Sequence, residues 1–83
     1  MTTLEDPLFR EICALIKSHR AVAVELQPST ELSGDLNIDS VAAMDLIMEI
    51  EDKFDIDIPI NTLSDLRNLG DLVALVRYHV EGG

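Results

Sequence analysis

The sequence predicts an all-α fold: a small four-helix bundle of three longer helices and one short helix, with a long first loop. In the three longer segments, apolar residues recur at the three- and four-residue spacing that is typical of amphipathic helices. Residues 22–26 and 55–59 alternate like strands, but the sequence offers no partner strand of comparable quality, and an unpaired strand is not stable. The 83 residues are expected to form one domain, 1–83, because so short a chain cannot build a second core.

The first helix is expected to begin at Asp6-Pro7, where a capping carboxylate precedes a proline at the first helical position. Its apolar stripe is Leu8, Phe9, Ile12, Leu15 and Ile16. Basic residues at its end complement the helix dipole: Lys17, His19 and Arg20. Residues 21–39 are then expected to form an ordered loop, anchored by Val24, Leu26, Leu32 and Leu36.

The second helix is expected from about Ser40 to Phe54 and carries two apolar faces. One is the ordinary core stripe: Ala43, Leu46, Ile47, Ile50 and Phe54. The other, which we call the partner face, lies on the opposite side and consists of Val41, Met44 and Met48. Methionine is an adaptable contact residue, so an apolar patch of this kind indicates a protein-docking surface. The acidic side chains expected around this patch are Asp45, Glu51 and Asp52.

A short helix is expected over residues 60–66, with Thr62 and Asp65 at capping-box spacing. The last helix is expected to begin at Gly70-Asp71 and to end at Gly82-Gly83. Its apolar stripe is Leu72, Val73, Val76 and Val80.

The chain is strongly acidic, with 6 basic and 16 acidic residues and a formal net charge of −10. The charge is concentrated between residues 35 and 57, where eight acidic residues face one basic residue, Lys53. Nucleic acid is therefore excluded as a ligand, because phosphate binding needs positive charge. The acidic surface favours solubility and attracts partners with basic patches.

Cys13 is the only cysteine, so neither an internal disulfide nor a cysteine metal cluster is expected. Its neighbours Phe9, Ile12 and Ile16 indicate a buried structural thiol. No signal peptide or membrane-spanning run is visible, and membrane insertion is not expected. These features predict a monomeric protein in a reducing, cytoplasmic compartment.

Ser40 is the candidate functional residue, because it stands at the start of the second helix behind Asp35 and Asp39. A serine in this place could simply cap the helix, and capping would still leave its hydroxyl exposed. The helix N-terminus also favours an anion such as a phosphodiester, although the flanking carboxylates oppose that effect. The sequence has no histidine near Ser40 and no glycine-bracketed nucleophile elbow, so no catalytic residue is expected.

A metal site is not expected either. Asp35-x-Asn37-x-Asp39 opens like a calcium loop, but such a loop needs glycine at its sixth and glutamate at its twelfth position. Ser40 and Leu46 occupy those positions. His19 and His79 lack metal-ligand spacing and are interpreted as solvated or capping side chains.

Three segments of the chain resemble acyl carrier proteins. Asp39-Ser40-Val41, with Leu36 before it and Met44 after it, is similar to the Asp-Ser-Leu attachment motif of that family. Phe54-Asp55-Ile56-Asp57-Ile58-Pro59 resembles the family's segment that closes the second helix. Asn68-Leu69-Gly70-Asp71 resembles its Thr-Val-Gly-Asp entry into the last helix.

The resemblance implies a non-catalytic carrier on which Ser40, flanked by Asp39 and Asp35, bears covalent phosphopantetheine taken from coenzyme A. Its expected partners are a phosphopantetheinyl transferase and acyl-loading and acyl-processing enzymes of fatty acid, lipid or polyketide biosynthesis, docking through basic patches. Acyl intermediates would be held as thioesters, and the acyl chain would enter a pocket formed by Leu32, Leu46, Ile50, Leu63, Leu66 and Leu69.

Two alternatives stay open at this point. The chain could be a small acidic binding module that uses the partner face, with Ser40 serving only as a cap. It could also be a peptidyl or D-alanyl carrier, although the peptidyl type often has histidine where this chain has Asp39. Departures from the family pattern leave the pathway undefined: Val41, Ala42, Ile60, Asn61 and Ser64.

Overall fold

Three α-helices and one 3-10 helix form the fold in the computed structural model, which describes residues 6–19, 22 and 24–82. In chain order they are α1 (Pro7–His19), α2 (Ser40–Phe54), the 3-10 helix (Ile60–Asp65) and α3 (Leu69–Val80). Within these residues the chain forms no strand, only an isolated bridge between Glu31 and Asn68. The predicted all-α bundle is confirmed, with its short helix in the 3-10 form. Arg20 and Gly83 lie outside the described residues.

The hydrophobic core is formed by one side of each α-helix and by buried residues of the first loop. The helices contribute Phe9, Ile12, Cys13, Ile16, Ile47, Ile50, Leu69, Leu72, Val73 and Val76, all buried. The remaining predicted stripe residues of α1 and α2 pack against this core while partly exposed: Leu8, Leu15, Ala43, Leu46 and Phe54. No helix within the described part of the chain is long and apolar enough to cross a membrane.

The start of α1 is fixed by Asp6, as predicted. The Leu8 N–H donates to Asp6 Oδ1 at 3.0 Å, and the Arg10 N–H donates to the Asp6 carbonyl at 3.1 Å. The same carboxylate pairs with Arg77. Asp6 therefore caps one helix and joins it to the last turn of α3.

The ends of α2 agree with the predicted range. Asp39 caps the helix by accepting the Ala42 N–H on its Oδ1 at 2.8 Å. At the other end Asp55 adopts a left-handed conformation with φ of 56°, and its N–H donates to the Glu51 carbonyl. Aspartate is one of the few residues that adopt this conformation readily, so α2 ends there without a glycine.

The first loop is anchored by Leu26, Leu32 and Leu36, as predicted, and also by Ile38. The fourth predicted anchor is wrong, because Val24 is 41% exposed. The backbone bends at Val24, and its side chain does not join the buried core.

Backbone hydrogen bonds join the first loop to the first turn of α3. The Leu69 N–H donates to the Thr30 carbonyl at 2.9 Å, and the Gly70 N–H donates to the Pro28 carbonyl at 2.9 Å. A Cβ on Gly70 would lie 3.2 Å from that carbonyl oxygen, so the glycine permits the close approach. The N–H groups of a first helical turn have no partner within their own helix, and the loop supplies one for each of these two.

Thr30 is the buried polar residue that shapes this loop. Its hydroxyl accepts the Gln27 N–H at 2.8 Å and donates to the Glu25 carbonyl at 3.3 Å. Both hydrogen-bonding capacities of the buried hydroxyl are used, so the loop keeps its shape without a regular element.

The last helix begins at Leu69, one residue before the predicted start, and Asn68 is its cap, with Oδ1 accepting the Asp71 N–H at 2.9 Å. The predicted place of Val80 in the apolar stripe is wrong, because it is 47% exposed. Arg77 already pairs with Asp6 at the start of α1, and Val80 lies most of a turn beyond that level. Gly82, with φ of 83°, follows the helix as predicted.

The capping box predicted for the short helix does not form. The helix begins at Ile60, so Thr62 lies inside it and not at its cap position, and the Thr62 hydroxyl donates to the Pro59 carbonyl at 2.6 Å. The residue before the helix, Pro59, makes no side-chain cap. The segment forms a 3-10 helix over Ile60–Asp65.

Candidate functional site

Ser40 is the first residue of α2, and its side chain is exposed. The structure corrects the interpretation of Ser40 as the cap, since the carboxylate of Asp39 makes the capping bond. Within residues 6–19, 22 and 24–82, no hydrogen bond engages the Ser40 hydroxyl. Within this part of the chain, no structural hydrogen bond competes with modification of the Ser40 oxygen.

The surroundings of Ser40 fit a phosphate-linked group. Asp39 satisfies the Ala42 N–H with its side chain and the Ala43 N–H, at 2.8 Å, with its carbonyl. Among the described residues, the N–H groups of Ser40 and Val41 make no such bond. Free N–H groups and the dipole at a helix N-terminus favour an anion, although the charge on Asp39 partly opposes it.

An open cavity of about 380 Å³ adjoins Ser40. It runs between the start of α2, the first loop and the 3-10 helix. Its lining residues are Leu32, Ser33, Ile38, Asp39, Ser40, Ala43, Met44, Leu63, Ser64 and Leu66. We call it the serine cavity.

The serine cavity contains half of the predicted acyl-pocket residues, Leu32, Leu63 and Leu66. The other three lie elsewhere. Ile50 and Leu69 are fully buried in the core at 0% exposure, and Leu46 lines a different cavity. The sequence analysis did not include the lining residues Ile38 and Ala43; the apolar Ile38 between Asn37 and Asp39, two residues before Ser40, was the available signal.

The partner face is exposed as the helical pattern predicts. Val41 is 67% exposed, Met44 42% and Met48 63%. Asp45 and Asp52 are also exposed. Met44 belongs to both the partner face and the serine cavity, so the two surfaces are continuous. The binding role of the partner face stays a prediction.

Glu51 has a structural role that the sequence did not indicate. Its Oε2 accepts the Ile58 N–H at 2.8 Å, and its carbonyl accepts the Ile56 N–H at 3.1 Å. The side chain is half-buried. Glu51 therefore holds the segment that follows α2, although it was predicted as a partner-binding residue.

The carboxylate of Asp35 is likewise hydrogen-bonded to the backbone. Its Oδ2 accepts the Glu31 N–H at 2.9 Å, and the Asp35 N–H donates to the Glu31 carbonyl at 3.1 Å. The reciprocal bonds close a turn over residues 31–36. Asp35 thus shapes the loop that leads to Ser40.

Three further side chains are placed by the structure. Cys13 is buried, and burial raises the pKa of its thiol against the opposing effect of Lys17. His19 was interpreted as solvated or capping; its side chain is 50% exposed, and its Nε2 also lies 3.3 Å from Glu49 Oε2. His79 packs edge-on against the ring of Tyr78. Within the described residues, no three His, Cys, Asp or Glu side chains are arranged to hold a metal ion.

Known proteins match this chain over nearly its whole length. A family model described as "Phosphopantetheine attachment site" matches residues 8–76. A Caulobacter vibrioides protein named "Probable acyl carrier protein" is 40% identical over 76 residues, which cover 92% of this chain and 88% of that protein. A Helicobacter pylori protein named "Acyl carrier protein" is 37% identical over 70 residues, covering 83% of this chain and 90% of that protein.

A third relative has a more specific name. The "Meromycolate extension acyl carrier protein" of Mycobacterium bovis is 36% identical over 53 residues, which cover 64% of this chain and 46% of that protein. The family match includes Ser40, all of α2 and the 3-10 helix, and most of α1 and α3. The chain therefore belongs to the acyl carrier protein family, the non-catalytic carriers whose prosthetic group is phosphopantetheine.

Proposed function

We propose that Ser40 is the residue to which phosphopantetheine is attached and that this carrier is a substrate of a phosphopantetheinyl transferase. The observation that carries the proposal is the exposed Ser40 hydroxyl at the first position of α2, beside an open cavity and without a hydrogen bond to any residue that the structure describes. When bound, the prosthetic group supplies a thiol on which acyl intermediates are held as thioesters. The Ser40 oxygen would lose its proton and form a bond to the phosphorus next to the pantetheine arm of coenzyme A, while the pyrophosphate bond of coenzyme A breaks and its adenosine bisphosphate half leaves.

Asp39 supports this role by capping α2, because its carboxylate relieves Ser40 of that duty. The alternative of a binding module gave Ser40 the role of a cap, whereas Asp39 makes the capping bond. The partner face and the acidic side chains Asp45 and Asp52 would receive basic surfaces of the transferase and of acyl-processing enzymes. Such docking is steered by charge and is weakened by salt. The cytoplasmic location and the monomeric state stay predictions.

The test compares the wild type with single Ser→Ala variants. Ser33 and Ser64 line the same cavity as Ser40, so Ser33→Ala and Ser64→Ala are matched controls. After treatment with a phosphopantetheinyl transferase and coenzyme A, the intact mass should rise in the wild type and in both controls. It should stay unchanged in Ser40→Ala.

Added mass in Ser40→Ala would contradict the proposed attachment site. So would unchanged mass in the wild type when an established carrier protein is modified in the same reaction. Thermal melts of the four proteins check that each is folded. We expect Ser40→Ala to melt near the wild type, because Ser40 does not cap α2.

We further propose that the apolar part of the serine cavity shields the start of an acyl chain. Leu63 and Leu66 are partly buried and line the cavity, whereas Leu46 is partly buried but lines another. A ligand that binds only the folded state raises its stability. Acylation should therefore raise the melting midpoint of the holo-protein.

The discriminating variants are Leu66→Ser and Leu46→Ser. Both lose apolar contacts and should melt below the wild type. Only Leu66→Ser should also lose much of the rise in melting midpoint on acylation. An equal loss in both variants would show that the acyl chain does not use the serine cavity.

A further inference from the structure

A cavity of about 410 Å³ lies between α1 and the start of the first loop. We call it the basic cavity. Its apolar lining is Phe9, Cys13, Ala14 and Leu26, and its charged lining is Arg10, Lys17 and Glu25. It shares no lining residue with the serine cavity, so it is a separate surface. Its volume is in the range that is usual for small-molecule sites, about 300–1,000 Å³.

The two basic side chains of this cavity lie on one side of α1. Arg10 and Lys17 are seven residues apart, which is two helical turns, and Cys13 and Ala14 lie between them on the same side. Burial raises the pKa of the Cys13 thiol, and the positive charge of Lys17 opposes this rise. The ammonium group therefore lies near the buried part of the lining. The cavity thus has a cation toward each end and an apolar floor between them.

The charge of the basic cavity is opposite to that of the whole protein. The chain has 6 basic and 16 acidic residues, yet two of the 6 basic residues line this cavity together with a single acid, Glu25. Within residues 6–19, 22 and 24–82, neither Arg10 nor Lys17 takes part in an ion pair. The described lining therefore carries one net positive charge.

The net charge of −10 limits what this cavity can bind. An acidic segment of another protein, or a second copy of this chain, would bring many negative charges toward a molecule that repels them. A small molecule with one carboxylate meets much less repulsion, and its charge matches the net charge of the lining. We propose that the basic cavity binds a small amphiphilic carboxylate, a molecule with one carboxylate and an unbranched apolar tail, and that Arg10 and Lys17 recognise the carboxylate.

Each part of such a ligand has a counterpart in the cavity. A guanidinium binds a carboxylate through two parallel N–H groups, and an ammonium attracts it as a point charge. The tail would lie on the floor, where Phe9, Cys13 and Leu26 are buried and Ala14 is exposed between the cations. Glu25 repels the carboxylate, so it weakens the binding of one negative charge and disfavours two.

The experiment uses the unmodified full-length protein and three eight-carbon probes: octanoate, uncharged octan-1-ol and octanedioate. Amide chemical shifts are followed at one pH and one ionic strength, with octanoate below the concentration at which it forms micelles. We expect octanoate to shift the amides of residues 9–17 and 25–26 in a saturable manner. It should bind more tightly than octan-1-ol, which lacks the charge. It should also bind more tightly than octanedioate, whose second carboxylate would meet the apolar floor.

Charge-matched variants separate a site from a general attraction. Arg10→Gln or Lys17→Gln should weaken octanoate binding about two- to fivefold, the effect of one exposed ion pair. Lys53→Gln makes the same change in net charge, but Lys53 is exposed on α2 outside the cavity, so it should weaken binding less. Glu25→Gln should tighten binding more than Glu11→Gln does, because Glu11 lies on α1 outside the cavity. Thermal melts check that each variant is folded.

Three results would overturn the proposal. They are equal weakening by Arg10→Gln and Lys53→Gln, octan-1-ol binding as tightly as octanoate, and shifts confined to the serine cavity. The last result would mean that the surface beside Ser40 takes up the free acid instead. None of them bears on the modification of Ser40, because the assay uses unmodified protein and Ser40 lies outside the basic cavity. The two proposals therefore fail separately.

Discussion

Replacing Glu51 tests whether its carboxylate supports the fold or only adds surface charge. A hydrogen bond to a charged acceptor contributes about 1.5–3 kcal/mol, and the half-buried side chain places this bond at the lower end. Alanine recovers a few tenths of that through helix propensity. Removing an acid near the helix C-terminus recovers about as much again. Glu51→Ala should therefore lower the free energy of unfolding by about 1 kcal/mol, which corresponds to about 4–8 °C in melting midpoint.

Urea unfolding with a common slope is the appropriate assay, since a change in midpoint at constant slope reports stability. Asp52→Ala is the matched control, because Asp52 is the next residue of α2 and is exposed. Its effect should stay within about 0.5 kcal/mol. Glu51→Gln keeps an acceptor and should fall between the two. Equal stability of Glu51→Ala and Asp52→Ala would refute a structural role for the Ile58 contact.

Four other outcomes are expected. Met44→Ala should change stability by about 0.5 kcal/mol in urea unfolding, against about 2–5 kcal/mol for Ile50→Ala in the core; similar losses would mean that Met44 is a core residue. Gly70→Ala should show none of the stabilisation of about 1 kcal/mol that alanine gives at an open helix position, since its Cβ meets the Pro28 carbonyl; a melting midpoint well above the wild type would contradict this contact. Because burial raises the pKa of Cys13, iodoacetamide should label it slowly in the folded protein and rapidly in urea. Its contribution to stability should also fall as pH rises past about 8.5, where the unfolded thiol loses its proton first. Finally, added salt or magnesium should raise the melting midpoint by screening the acidic residues between 35 and 57; an indifferent midpoint would show that their repulsion is already relieved.

The helices were predictable because their signals are local. The apolar period of α2 and the acidic residues at its ends define Ser40–Phe54 without reference to the rest of the chain. The identity of its cap was not predictable in the same way. Asp39 and Ser40 are adjacent and both belong to the residue types that cap helices, so only the backbone geometry distinguishes them.

The contacts that the sequence did not predict join separate segments of the chain, whereas hydrophobic periodicity describes each helix by itself. The pair of His19 with Glu49 depends on how closely α1 and α2 pack. The bond from Ile58 to Glu51 forms only after the left-handed turn at Asp55 has brought the chain back. The helical period of α2 does not show that the chain returns to Glu51 after the turn. The sequence analysis therefore assigned Glu51 to a docking surface.

The acyl-pocket residues show the same limit. Leu32, Leu63 and Leu66 come from the loop and the region of the 3-10 helix, which face Ser40 across the serine cavity. Leu46 is carried round by the helical rotation of α2 to the side facing α1, and Ile50 is enclosed by the core. Resemblance indicated that apolar side chains should meet near Ser40, but the assignment of each one required the packing of the elements.

The bonds between the first loop and α3 have a consequence for the order of folding. Thr30 and Leu69 are far apart in the chain, and such pairings form later than the local contacts of a helix because closing the intervening segment is entropically unfavourable. The loop can dock only on a first turn of α3 that already exists. Ser40 follows this loop directly, so we expect the serine cavity beside it, which the loop helps to line, to be completed among the last steps, after the local cap of α2 by Asp39. A chain arrested before that stage, for example during synthesis, would offer a modifying enzyme a serine without its surrounding structure.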